Sequence, residues 1–190
     1  MTNSTKIAWG VTLISLAGIL AMKMGRKAVD SLSLFYNYEF DDMNTNENLP
    51  RGYRNNNPLN IRYSSWNAWK GKILPNTDRN NTFEQFTNMV YGYRAALVTM
   101  RNYIKKYGCN TVEKIIRRWA PENENNTNAY IQHVCDFANL YPNMTVAIND
   151  KDTLTKMAYA MSIIENGNTE ATREAGLPNM EIINAAWEII

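Results

Sequence analysis

The sequence predicts a mainly α protein: a helical domain with a small loop or β lobe at its front, preceded by a single N-terminal transmembrane helix. Three observations lead there. Apolar residues recur at helical spacing from about residue 89 onward. Capping and stopping residues bracket those stretches. Between Asn60 and Phe86 the period breaks, and Gly, Pro and Asn accumulate. With 190 residues, 45% hydrophobic and 20% charged, the chain can build one packed domain plus an appendage. That composition excludes a disordered chain, a collagen and a disulfide scaffold. One His and two Cys speak against a structural zinc site, which takes four such ligands, and no cofactor is expected.

Taken in order, the first element is apolar. Ile7 to Met22 holds sixteen residues without a charge, opened by Trp9. A membrane span takes about 20. Lys23, Arg26 and Lys27 follow at once with no small-x-small cleavage site, so residues 1–30 read as an uncleaved, single-pass membrane anchor. Basic residues on both sides leave its orientation open. Residues 31–50, aromatic at first and then acidic and Asn-rich up to Pro50, read as a linker to a domain over 51–190.

In that domain Ile61, Tyr63, Phe83 and Phe86 suggest short strands or ordered loop. Val90, Tyr93, Leu97, Met100 and Ile104 mark a helix over 89–107, with Lys105 and Lys106 in its last turn and Gly108 as its stop. Asn110 to Glu113 fits a capping box with Asn110 as the cap, and Pro121 ends the helix it opens. Asn126 or Thr127 caps a third helix reaching about Leu140. Asp150 or Asp152 opens a fourth, running to Glu165 and stopped by Gly167. Pro178-Asn179 opens a last helix to the C-terminus.

The formal net charge is only +2, so no nucleic-acid partner is expected of the whole chain. The distribution is uneven: residues 51–118 carry 13 basic and 3 acidic side chains, and residues 119–190 carry 3 basic and 10 acidic. The two halves either pair across the fold or hold an anionic polymer beside acidic groups.

The run Arg51 to Arg62 is denser than a generic turn. Asn55, Asn56, Asn57 and Asn60 offer donors and acceptors and tolerate left-handed backbone. Such a loop binds the hydroxyl and acetamido groups of a sugar, or it satisfies its own backbone. Trp66, Trp69, Tyr53, Tyr63 and Tyr91 lie close by in sequence, and aromatic faces pack on sugar rings. Core packing is the plainer reading for each of them singly.

Several segments occur in one order: RGYRNNNPLNIRYSSWNAWKGK, TFEQF, YGYRAALVTMRNY, NTVEKIIRRWAPENENNTNAYI and AMSIIENG. Together they resemble a family of phage and prophage virion-associated proteins similar to lysozyme-like peptidoglycan lytic transglycosylases. Its hallmark is an Arg-Asn-Asn-Asn-Pro-Gly-Asn-Ile-Arg run, followed by a Trp-Ala-Pro, Glu-Asn-x-Thr and Tyr segment. Leu59 stands where the family usually has Gly, which would strain a positive φ there. Ile164 replaces a His that often precedes the Glu-Asn-Gly.

The resemblance implies a lysozyme-like fold, peptidoglycan as partner, and an extracytoplasmic or virion-associated body. It also implies cleavage of glycan strands, of lytic transglycosylase or muramidase type. Glycoside cleavage needs a carboxylic acid to protonate the leaving oxygen. A lytic transglycosylase works with one Glu, because the substrate's own hydroxyl attacks. That acid wants an apolar, partly buried setting. Glu165, closing the apolar helix before Asn166-Gly167, is the first candidate; a solvated helix-end Glu is its plainer reading. Glu124 is the alternate, although an acid just before a helix also stabilises the helix N-terminus. Asp78 and Glu84 follow. Arg54, Asn55, Asn56, Asn57, Asn60, Arg62, Trp66 and Trp69 would bind substrate.

Three other readings compete. The domain could keep the fold without catalysis, as a virion or membrane structural protein. The basic half could bind nucleic acid from the cytoplasmic side. Cys109, before a capped helix, could act as a nucleophile with His133, although His133 falls mid-helix and two residues from Cys135. Cys109 and Cys135 could also form a disulfide in an oxidising compartment.

Overall fold

The computed structural model describes residues 47–190. The apolar stretch over 7–22 and the linker up to residue 46 lie outside the described residues. Among the described residues no helix is long and apolar enough to cross a membrane.

The architecture is mainly helical: α1 (Arg51–Arg54), α2 (Met89–Tyr107), α3 (Val112–Trp119), α4 (Thr127–Ala138), α5 (Lys151–Asn166), α6 (Glu170–Glu174) and α7 (Met180–Glu188). Side-chain caps explain where most of them begin. Asn88 accepts from the Tyr91 amide at the start of α2. Asn126 does the same for Ala129 in α4, Asp150 for Thr153 in α5, and Asn179 for Glu181 and Ile182 in α7. α2 ends on Gly108 and α4 on Asn139, both left-handed, at φ 67° and 52°. The cap of α3 differs from expectation: Thr111, not Asn110, accepts from the Lys114 amide. Thr111 is held extended by an antiparallel bridge to Thr145, which moves the cap one residue on. Helices α1 and α6, of four and five residues, are too short to show a period in the sequence.

α7 packs on α2 and α5, α4 on α5, α3 on α4, and α1 on α5. The core is made by Tyr93, Leu97 and Met100 of α2, Ile115 and Ile116 of α3, Leu154, Met157 and Met161 of α5, and Ile182 of α7. Each such burial is worth roughly 1.5–3 kcal/mol. Leu49, Tyr53, Leu59 and Phe86 enter the same core from the front of the domain.

The front lobe, between α1 and α2, holds isolated bridges rather than strands: Arg62 to Phe83 and Lys72 to Phe86. Side-chain amides replace the missing ladder. Asn57 donates to the carbonyls of Ile61 and Glu84, and Asn56 to that of Phe86. Among the described residues, all five non-glycine positions with positive φ are asparagines: Asn56, Asn60, Asn80, Asn81 and Asn139. Leu59 is not one of them. It is buried, and Asn60 beside it takes the left-handed turn, so Leu59 carries no backbone strain.

Candidate functional site

Glu165 occupies the last turn of α5, half-buried. Asn60 donates from Nδ2 to its Oε2 at 3.0 Å, and the Tyr130 hydroxyl donates to its Oε1 at 2.9 Å. One carboxylate thus joins the front loop, α4 and α5. Asn60 is aimed there by its left-handed φ of 49° and by its amide, which donates to the Asn57 carbonyl at 3.0 Å. Tyr130 is buried. Burial, then the Glu165 charge and hydrogen bond, push its hydroxyl well above the usual tyrosine value, so it stays a proton donor throughout the working pH range.

Asn166 fastens the same junction from the next position. Its Nδ2 donates to the Pro58 carbonyl at 2.7 Å and to the Ser162 carbonyl at 2.9 Å. Its buried Oδ1 has no hydrogen-bond partner. That oxygen and Asn60 Oδ1 crowd against Gly52, where a Cβ would collide with both. Gly52 is therefore needed for space, not for backbone freedom.

The other expected site residues separate into two groups. Asn55, Asn56 and Asn57 are buried and engaged internally. Asn55 donates to Asp78 at 2.8 Å and accepts from Gln85 at 3.2 Å, while Asn56 and Asn57 hold backbone carbonyls. They form the wall of the lobe. The reason is local: buried loop carbonyls need donors, and these amides supply them. Arg54, Arg62 and Trp66 are exposed, Trp66 at 93%. Trp69 is half-buried, with its Nε1 enclosed and unpartnered.

Glu124 is in an exposed ion pair with Arg62 at 2.7 Å. Asp78 is buried. Burial pushes its carboxyl up, but hydrogen bonds from Arg51, Asn55 and the Phe83 amide, with the Arg51 charge, outweigh this and hold it below its ordinary 3.8. Glu84 is wholly buried against Lys72 at 3.0 Å. Ile164 is half-buried. Cys109 and Cys135 are free thiols, and His133 is exposed, with no hydrogen bond to either among the described residues. Among the described residues no group of three or more His, Cys, Asp or Glu could hold a metal ion.

Tyr130 carries no local signal in the sequence, because its role depends on a residue 35 positions away.

A helical domain whose front loop closes on a carboxylate at a helix end is the class that fold and cluster define together. Its relationship is to a phage protein. Over 124 residues, 64% of this chain and 74% of the relative, the sequence is 41% identical to Protein P5 of Pseudoalteromonas phage PM2. The chain belongs to the family of that protein. No family model matches the chain.

Proposed function

We propose that this chain is a virion-associated structural protein of a phage, in which a lysozyme-like domain is retained without catalysis. The observation that carries this is the relationship to a phage protein across most of both chains. The geometry of the carboxylates agrees with it. Both oxygens of Glu165 accept hydrogen bonds from this chain, and Oε2 of Glu124 is paired with Arg62. In this reading residues 7–22 anchor the chain in a membrane, and the domain contacts peptidoglycan through the exposed Arg54, Arg62 and Trp66.

A second reading is favoured by one specific observation: Glu165 lies half-buried against the Asn loop rather than facing solvent away from it. It is peptidoglycan glycan-strand cleavage. Glu165 would protonate the leaving glycosidic oxygen once Asn60 or Tyr130 gave way to substrate, and the substrate's own hydroxyl would attack.

Muropeptide analysis of purified peptidoglycan incubated with the full chain separates the two, run beside Glu165→Gln, Glu124→Gln and Tyr130→Phe. No release by folded protein is the expected result. Anhydro-muropeptides from the wild type that vanish in Glu165→Gln would overturn the structural reading and name the acid; loss only in Glu124→Gln would name the other. Reducing ends instead would make the protein a hydrolase. Co-sedimentation of the chain with purified phage particles tests the virion assignment itself.

A further inference from the structure

An open cavity of about 570 Å³ is lined by Tyr103, Cys109, Lys114, Arg117, Arg118 and Pro121. Three of these are cations, and none is a carboxylate. Arg117 is already engaged: it bonds Glu113 at 2.7 Å, Glu122 at 2.5 Å and Asn128 at 2.8 Å. Arg118 is held differently. Its guanidinium lies over the Tyr107 ring at 3.4 Å and the Tyr103 ring at 5.1 Å. Among the described residues no carboxylate pairs with it. Stacking fixes the guanidinium plane while leaving its donors in that plane for an oxyanion. Lys114 reaches only the Asn110 side-chain oxygen, at 3.5 Å. Lys105 and Lys106, both exposed, lie in the same helical turn as Tyr107.

Exposed apolar residues flank Arg118 and the start of α3, which carry two of the lining cations. Tyr107 is 57% exposed, Tyr141 70% and Met144 36%. The loop from Tyr141 to Met144 is bound to the start of α3: the Glu113 amide donates to the Pro142 carbonyl at 2.9 Å, and the Val112 amide to the Met144 carbonyl at 3.2 Å. That same first turn carries Lys114. Exposed aromatics beside unpaired cations match the headgroup level of a membrane, where rings sit at the interface and cations meet phosphates. A nucleic-acid groove would need a longer track of unpaired cations to meet successive phosphates.

We infer that this cavity binds the phosphate of an anionic phospholipid headgroup, with Arg118 and Lys114 as its ligands and Tyr107, Tyr141 and Met144 as the edge entering the interface. The inference is independent of Glu165 and of the segment 7–22.

The test is isothermal titration of the full chain, held in non-ionic detergent, with dihexanoyl phosphatidylglycerol. Saturable binding at one site is expected. Lys114→Gln with Arg118→Gln should weaken it on the order of tenfold or more. Both residues are exposed, so the fold should survive, and a helical circular dichroism spectrum with an unchanged melt checks that it does. Tyr141→Ser should weaken lipid binding while leaving the response to inorganic phosphate unchanged. Unaltered lipid binding in the folded double variant overturns the inference. Inorganic phosphate binding as tightly as lipid, or an oligothymidylate binding more tightly than lipid, also overturns it.

Discussion

Replacing Lys72 with methionine removes a cation buried inside the front lobe. Its side chain is 6% exposed and that of its partner Glu84 is 0% exposed. Lys72 Nζ donates to Glu84 Oε1 at 3.0 Å, to the Ser64 carbonyl at 2.6 Å and to the Asn67 carbonyl at 3.3 Å, and it lies 4.5 Å from the centre of the Tyr63 ring. Without it, Glu84 keeps only the Ser64 amide at 3.1 Å, and its Oε2 is already without a partner. Breaking one side of a buried pair leaves an uncompensated charge and costs about 3–5 kcal/mol. For a domain of this size that lowers Tm by about 6–20 °C. Removing both charges, with Lys72→Met and Glu84→Met together, takes away the stranded carboxylate. What remains is chiefly the loss of a donor to two loop carbonyls, about 1–2 kcal/mol. The double variant should therefore be more stable than Lys72→Met alone, by about 2 kcal/mol. Thermal and urea melts followed by circular dichroism read all three proteins. A single variant costing less than about 1 kcal/mol, or a double variant losing at least as much as Lys72→Met alone, would refute the reasoning.

Other expectations follow from the same lobe and its junction with α5. Gly52→Ala forces a methyl into Asn166 Oδ1 and Asn60 Oδ1, and should cost about 1–3 kcal/mol, read as a lower melt. Asp78 carries a depressed folded pKa, so its stabilisation is complete above its ordinary 3.8 and is lost as pH falls through the folded value. Asp78→Asn should lower stability at pH 7 by about 1.5–3 kcal/mol and flatten the acid side of a stability-against-pH curve; an unchanged acid limb would contradict this.

How much could be read without coordinates depended on distance along the chain. The helices from α2 to α5, and α7, were legible because period and caps are local: Asn88 reaches three residues to Tyr91, and Asp150 three residues to Thr153. The stops at Gly108 and Gly167 were legible for the same reason. The cap at Thr111 was not, because Thr145 sets it from 34 residues away. The asparagines of the front loop could be marked as a special run, but their division of labour could not. Asn57 is turned inward by Glu84, 27 residues on, and Asn60 is turned to Glu165, 105 residues on. Identical side chains therefore take opposite roles according to which carbonyl or carboxylate the folded chain sets beside them. The sequence proposed Asn60 and Glu165 as separate candidates. Their meeting, the arrival of Tyr130 and the exclusion of a Cβ at Gly52 arise from the packing of α1, α4 and α5 around one junction. Local pattern writes the helices; hydrogen bonds across long loops are formed only when burial leaves each polar atom no water to turn to.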